Sequence, residues 1–298
     1  MKKICSAILI VLILGAWCGV ALADALDQGR EMARSGQLNA AAEFFNRYVQ
    51  GHPDDKKLTP EALAWNGRIL DAMADFLTGE AEKKCYWGRE KARSPECMQR
   101  EADTLNAKYG TGAFQYEHAV LFIYYTGSHY RQIISQFAKS GFAPEAEFYL
   151  LLHNLSGHPD VVLPKIKAFL SKYPKGDWHR RGLLLWARAN EDIWFIHRKW
   201  SWVIYNDQVA PEELMIRAEP YRQEALKTYQ QLMKDKDTFE GNAAAREYAA
   251  LSASQDDNVV YSIVNDSSPG TLAAWGVSAP PQMPAQTREQ RKGTSSNP

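Results

Sequence analysis

The stretches GQLNAAAEFFNRYVQGHP (36–53) and GHPDVVLPKIKAFLSKYP (157–174) share one layout. Each begins with glycine and ends with proline seventeen residues later, and apolar residues occur at the same offsets before that proline. The matched pairs are Ala41 and Val162, Phe45 and Ile166, Tyr48 and Phe169, and Val49 and Leu170. This spacing places one apolar stripe on one face of a helix. The glycine permits a tight turn before that helix, and the proline ends it.

A second amphipathic helix is predicted after each proline, in EALAWNGRILDAM (61–73) and WHRRGLLLWARA (178–189). The repeating unit is therefore predicted to be a pair of helices joined by a short turn. Two weaker copies carry the same kind of stripe. One starts at Gly127, the other is EALKTYQQLMKD (224–235), and their stripes consist of Tyr130, Ile133 and Phe137 and of Ala225, Tyr229 and Leu232.

Further helices are predicted through most of the chain. Thr59-Pro60 and Ser94-Pro95 are predicted helix starts, because a capping hydroxyl precedes a proline in the first turn. The segment AFQYEHAVLFIYY (113–125) also has helical periodicity, and NVVYSIV (258–264) is the one strand-like piece. Pro164 would cost about 3 kcal/mol inside a helix, so the helix that contains it is predicted to begin nearby, at Leu163.

The two strong copies resemble the tetratricopeptide repeat, in the form common among exported bacterial scaffold proteins. Gly36, Ala41, Phe45 and Pro53 carry the resemblance in the first copy, and FLSKYP (169–174) carries it in the second. The resemblance implies an all-α fold over residues 24–264, a right-handed superhelix of stacked antiparallel helical hairpins. It also implies a concave groove that binds peptides or protein partners.

Residues 1–23 are predicted to be a cleavable bacterial secretory signal. Two lysines form its charged start, AILIVLILGA its apolar centre, and residues 21–23 a small-x-small cleavage site. An uncleaved membrane anchor is the alternative, but the apolar run is short for a full span. Trp17 precedes Cys18 where lipoprotein signals need a small residue, which argues against lipid attachment. The mature protein is predicted to begin at Asp24, in the periplasm, without a transmembrane segment.

Charge gives no reason to expect a nucleic acid partner. The 298 residues include 35 basic and 35 acidic side chains, and losing the two signal lysines leaves 33 against 35, a net charge of −2. That balance lacks the basic excess of nucleic-acid-binding proteins.

Residues 265–298 are rich in Pro, Ser, Gly and Gln and are predicted to be a disordered tail. LAAWGV within them is either a docking motif or part of an idle tail.

Cys85 and Cys97 are the cysteines that remain after removal of the signal. An oxidising compartment favours a disulfide between them. Closing a loop of this size is worth about 3 kcal/mol in the chain-entropy treatment. The alternative is half of a zinc site, but the cysteine spacing is unsuitable and no histidine is near in sequence.

No enzyme signature is present in the chain. It has no G-x-S-x-G, no P-loop, no HExxH and no G-x-G-x-x-G. His153 and His158 lie five residues apart across a turn and are predicted to be capping or surface residues, not metal ligands. A lytic transglycosylase would need a Glu-Ser pair and a Gly-Leu-Met-Gln segment, and the sequence has neither. We therefore predict no catalytic residue and no cofactor.

Aromatic residues concentrate in DIWFIHRKWSWVIYND (192–207), and five of the nine tryptophans lie between Trp178 and Trp202. Tryptophan and arginine are enriched at the energetic centres of protein interfaces. The candidate partner-binding residues are Trp194, Arg198, Trp200 and Trp202. Packing of these rings within the core is the alternative. A carbohydrate site formed by the aromatic patch 194–205 is a further alternative.

These features predict a non-enzymatic periplasmic scaffold or adaptor. It would bind a protein or peptide partner in a concave helical groove, in cell-envelope assembly, secretion or cell-wall coordination. The alternative is a protein that binds peptidoglycan or a small molecule through the aromatic patch. The sequence carries no signal for the oligomeric state.

Overall fold

The structure, a computed structural model, describes residues 26–86, 94–118, 122–155, 159–199 and 209–254. These residues fall into two compact units, unit 1 ending at Phe142 and unit 2 beginning at Ala143. Both units are mostly helical, as the periodicity predicts. The predicted signal (1–23), the strand-like segment (258–264) and the predicted tail (265–298) lie outside the described residues.

Unit 1 is arranged around one long helix. Its elements are α1 (26–34), α2 (Leu38–Gly51), α3 (Thr59–Tyr86), α4 (Pro95–Tyr109), β1 (Phe114–Glu117), β2 (Phe122–Tyr125) and α5 (Ser128–Gln136). Helices α2, α4 and α5 and strand β2 all pack against α3. Gly36 makes the turn between α1 and α2 with a φ of +80°, a conformation that glycine adopts without steric cost.

Unit 2 is helical throughout its described residues. Its elements are α6 (Ala143–His153), α7 (Pro159–Lys172), α8 (Asp177–Lys199), α9 (Pro211–Leu232) and α10 (Phe239–Ser252). Helix α8 packs against the other four helices, and α9 also packs against α10. A Cβ at Gly182 of α8 would lie only 2.8 Å from Leu170 and 3.0 Å from Phe169, so glycine allows α7 to approach closely.

The apolar stripes face the core in all four copies. Every stripe residue named from the sequence is buried except Leu170, which is half-buried against α8. Full burial of one large apolar side chain is worth about 1.5–3 kcal/mol. The shared layout of the two opening stretches therefore reflects two helices that use the same face to pack.

Both predicted helix starts are found at the expected places. Helix α3 begins at Thr59, whose hydroxyl donates a hydrogen bond of 2.5 Å to the carbonyl oxygen of His52. Helix α4 begins at Pro95, and the Ser94 hydroxyl oxygen accepts a hydrogen bond from the backbone N–H of Cys97. This is the capping arrangement predicted for a serine that precedes a proline.

The predicted helix over residues 113–125 is wrong, because the chain forms a β-hairpin there. Strands β1 and β2 pair antiparallel, with Phe114 opposite Tyr125. The Asn106 side chain of α4 explains the difference. Its amide donates to the carbonyl oxygen of Phe114 (2.9 Å), and its oxygen accepts from the N–H of Phe114 (2.8 Å). These two hydrogen bonds and the antiparallel strand pairing, together with the strand preference of aromatic residues, outweigh the helical periodicity.

The predicted start of α7 near Leu163 is also wrong. Helix α7 begins at Pro159 and contains Pro164. Proline removes one hydrogen bond of the helix. Val162 is fully buried, and it belongs to the same stripe as Ile166, so the turn before Pro164 must be helical for the stripe to reach the core. The ring of Pro164 is exposed and does not disturb the packed face.

Candidate functional site

Two of the predicted partner-binding residues lie in the last turns of α8. Trp194 is only 5% exposed. The guanidinium carbon of Arg198, one turn later, is 4.3 Å from the centre of its ring, and that of Arg222 in α9 is 6.0 Å away. The indole of Trp194 is therefore packed inside unit 2 and offers little surface to a ligand. Trp200 and Trp202 lie outside the described residues, and their role stays a prediction.

Arg222 connects this part of α8 with the end of α10. Its guanidinium group donates to the carbonyl oxygens of Leu251 (3.0 Å) and Ser252 (3.3 Å). The last carbonyls of a helix lack partners within the helix, and a cation placed there is favourable. We call Trp194, Arg198 and Arg222 the Trp194 cluster, and it holds α8, α9 and α10 together at one end.

The most exposed large apolar side chains described are adjacent residues of α9. Met215 is 55% exposed and Ile216 is 74% exposed. Pro220, four residues after Ile216, is also exposed, and we call these three residues the α9 patch. Leu214 and Ala218 are buried and turn the opposite side of α9 toward the core. The patch is thus a fixed feature of a packed helix.

The α9 patch stands clear of α10 because the two helices differ in length. Helix α9 has 22 residues and α10 has 14. Since α10 ends beside Arg222, the turns of α9 that precede Arg222 extend past the end of α10. A stripe at helical spacing through Leu214, Ala218 and Ala225 leaves Met215 and Ile216 off the packed face. Met215 and Ile216 were not predicted as site residues, although this spacing could have revealed them.

Acidic residues surround the α9 patch. Residues three or four positions apart are neighbours on a helix. Glu212 and Glu219 therefore flank both Met215 and Ile216, and Glu213 lies next to Ile216. Glu213 forms an ion pair with Arg217. The surface here is apolar with an acidic margin.

Unit 1 buries a hydrogen-bonded network of polar side chains. The amide nitrogen of Asn66 is 3.0 Å from Nε2 of His129, and the Tyr125 hydroxyl is 3.0 Å from Nδ1. The Tyr130 hydroxyl donates to Asp71 at 2.6 Å. Burial lowers the pKa of His129 from 6.5 to about 4, so this ring is neutral at neutral pH. The network is enclosed between α3, α5 and β2 and supports the fold.

Unit 2 buries an ion pair between two of its helices. Arg188 of α8 donates two hydrogen bonds to the carboxylate of Glu247 in α10, of 3.1 Å from Nε and 2.5 Å from Nη2. The Tyr229 hydroxyl donates to Glu191 at 2.6 Å. Burial, with the nearby carboxylates, raises the pKa of Tyr229 well above its ordinary value, so it acts as a donor.

The predicted disulfide is present. Cys85 in the last turn of α3 is bonded to Cys97 in the first turn of α4. The Cα atoms are 5.7 Å apart, within the usual range for a disulfide. The bond links two helices of unit 1 whose connection, residues 87–93, lies outside the described residues.

Neither a metal-binding cluster nor a membrane-spanning helix is found within the described ranges. No three His, Cys, Asp or Glu side chains there are grouped so that they could hold a metal ion. None of the helices described is both long and apolar enough to cross a membrane. His153 lies half-buried in the last turn of α6, and His158 is outside the described residues.

Comparison with known proteins finds no relative of this chain. No protein-family model, no curated protein and no solved structure matches this chain. The proposed function is therefore inferred from the residues of the chain itself.

Proposed function

We propose that this protein is a non-enzymatic scaffold or adaptor of the bacterial cell envelope that binds a protein or peptide partner. In this proposal residues 1–23 direct export to the periplasm. The helical hairpins of residues 24–264 are TPR-like repeats, whose right-handed superhelix presents a concave groove to the partner. The processes it serves are envelope assembly, secretion or cell-wall coordination.

The observation that carries the proposal is the α9 patch. The stripe residues show that this chain buries its large apolar side chains efficiently, yet Met215 and Ile216 face outward side by side. Contiguous exposed apolar side chains with a polar margin are a feature of protein interaction sites, and the α9 patch has this arrangement on a small scale. Methionine is also enriched in interfaces, where its flexible side chain adapts to the partner.

The disulfide supports the proposed location. A bond between Cys85 and Cys97 persists in an oxidising compartment and would be reduced in the cytosol. It therefore agrees with export, which the apolar centre and cleavage site of residues 1–23 predict independently.

The proposal can be tested by affinity purification of the full-length protein from the envelope fraction of cells that produce it. We expect one partner to be retained at physiological salt and to bind again after separate purification. Trp200→Ala and Trp202→Ala test the residues chosen from the sequence. Each should weaken binding of the purified partner at least tenfold without lowering the melting temperature, if these rings contact it.

Sedimentation with peptidoglycan is the matching test for the carbohydrate alternative. Co-sedimentation without any retained protein would contradict the proposal and favour a glycan-binding role. New glycan fragments in the same tube would contradict it more strongly, because they would demonstrate catalysis.

A further inference from the structure

We propose that the α9 patch docks a basic amphipathic segment of the partner, in which an apolar side chain is flanked by lysine or arginine. This inference rests on the proposed function and specifies the chemistry of the partner. It concerns Met215, Ile216 and Pro220 together with the carboxylates that surround them.

The geometry of the patch suits an apolar anchor. Ile216 and Pro220 are one turn apart and lie on the same side of α9, and Met215 precedes Ile216. Leu214 and Ala218 are buried, and they hold this side of the helix outward before any partner arrives. A surface that is already ordered loses little conformational entropy on binding.

The charge around the patch selects the partner. Residues 211–220 contain three glutamates and one arginine, which gives these roughly three turns of α9 a net charge of −2. Arg217 is engaged by Glu213. Arg222 contacts Glu219 at 3.3 Å and is also held by the carbonyl oxygens at the end of α10. With Arg222 included, residues 211–222 carry three glutamates and two arginines, a net charge of −1. A basic segment is therefore attracted, and an acidic one is repelled.

The same charge argues against other occupants. A second copy of the chain that used this patch symmetrically would place Glu212 and Glu219 near their own counterparts, which costs free energy. An anionic lipid surface would be repelled in the same way. The patch comprises only three residues, so we expect a dissociation constant on the order of 10 μM for an isolated segment.

The test uses the full-length protein and two labelled synthetic peptides in fluorescence anisotropy. One is an 18-residue helical peptide of leucine and lysine with leucines on one face, and the other has glutamate in place of every lysine. We expect the lysine peptide to bind at least tenfold more tightly than the glutamate peptide at low salt. Raising the salt should weaken that binding, because the attraction is screened.

Variants of the α9 patch separate the contribution of its apolar side chains from that of the surrounding carboxylates. Met215→Ser with Ile216→Ser removes the apolar anchor and should weaken the lysine peptide about tenfold or more. Glu212→Gln with Glu219→Gln should weaken it severalfold and reduce the salt dependence. The matched control is Phe122→Ser, since Phe122 is 42% exposed and lies in unit 1. It should leave the affinity unchanged, and the melting temperature identifies any variant that is misfolded.

Several results would overturn the proposal. These are equal affinity for the two peptides, no binding of either, or binding that the patch variants leave unchanged. Concentration-dependent self-association that the Met215→Ser, Ile216→Ser variant abolishes would assign the patch to a second copy instead. If the purified envelope partner still binds this variant normally, the docking site is wrong while the scaffold function stands.

Discussion

Unit 1 and unit 2 use the same apolar stripe but bury different polar groups. In unit 1 the side chains of Asn66, Tyr125 and His129 form a hydrogen-bonded network around a neutral imidazole. In unit 2 the buried contact between α8 and α10 is the ion pair of Arg188 and Glu247. A shared stripe therefore determines which face of a helix packs against the core. It does not determine which polar groups are buried beneath that face.

The stripe helices also differ in what precedes them, since α2 of unit 1 follows helix α1 whereas α5 of the same unit does not follow a helix. In unit 2 the stripe of α7 follows another helix, α6, as a helical hairpin requires. In unit 1 the stripe of α5 follows the β1–β2 hairpin, and a disulfide fastens α3 to α4. The loose copy at Gly127 therefore keeps the stripe helix but lacks the helix that precedes it in the two strong copies.

The largest effect that we predict tests the ion pair of unit 2. Arg188→Ala or Glu247→Ala should lower the free energy of unfolding by about 3–5 kcal/mol, because each removes one member of a buried ion pair and leaves the opposite charge buried. Replacing both residues together, Arg188→Met with Glu247→Leu, should cost much less than either alanine change. Urea denaturation gives the values.

The exposed pair Lys227 and Glu224 in α9 is the matched control for that prediction. Lys227→Ala should change the free energy of unfolding by no more than about 1 kcal/mol. If Arg188→Ala costs no more than this control, the contrast between the two units is unfounded.

The second prediction concerns the disulfide of unit 1. Cys85→Ser with Cys97→Ser should lower the free energy of unfolding by about 3 kcal/mol, because the open loop gains entropy in the unfolded chain. Hydrogen exchange should place the lost protection in α3 and α4. Loss of protection first in α8 and α9 would contradict the assignment of this effect to unit 1.

The third prediction is a pH dependence confined to unit 1. The pKa of His129 is about 4 in the folded protein and 6.5 when the ring is exposed, so the unfolded chain binds the proton first as pH falls. The stability of unit 1 should therefore be unaffected by this group above pH 7. It should fall by about 2 kcal/mol between pH 7 and pH 5, and further down to about pH 4.

His129→Gln should remove this part of the slope, while His52→Gln should retain it. Hydrogen exchange in α3 and α5 at pH 7 and pH 5 measures the effect. An equal slope in His129→Gln and in the unchanged protein would show that other groups cause the acid sensitivity.

Much of the fold follows from local patterns in the sequence. Apolar spacing through Phe45 and Ile166 predicted helices and the face that each buries, and Ser94-Pro95 predicted a helix start. The β-hairpin was missed because helical periodicity carries no information about the pairing of the Asn106 side chain with the backbone of Phe114, or of Phe114 with Tyr125 across the strands. The start of α7 was missed because burial of Val162 outweighs the local cost of proline.

The candidate site was harder to predict than the fold. The local abundance of tryptophan led to the prediction that Trp194 binds a partner. The structure places its ring in the core beside Arg198. The exposed Met215 and Ile216 carry no recognisable motif, and their exposure depends on the unequal lengths of α9 and α10. This exposure depends on how the helices of unit 2 pack, and amino-acid composition carries no information about that packing.

The central claim is that this protein acts by holding another protein. The most direct measurement is photo-crosslinking in living cells, with a photoreactive amino acid at Ile216 and, as the matched site in unit 1, at Phe122, followed by mass spectrometry. We predict one discrete protein adduct at Ile216, whose crosslinked peptide contains lysine or arginine beside an apolar residue, and none at Phe122. The absence of a protein adduct at both positions, with the photoreactive group shown to be active, would contradict the claim.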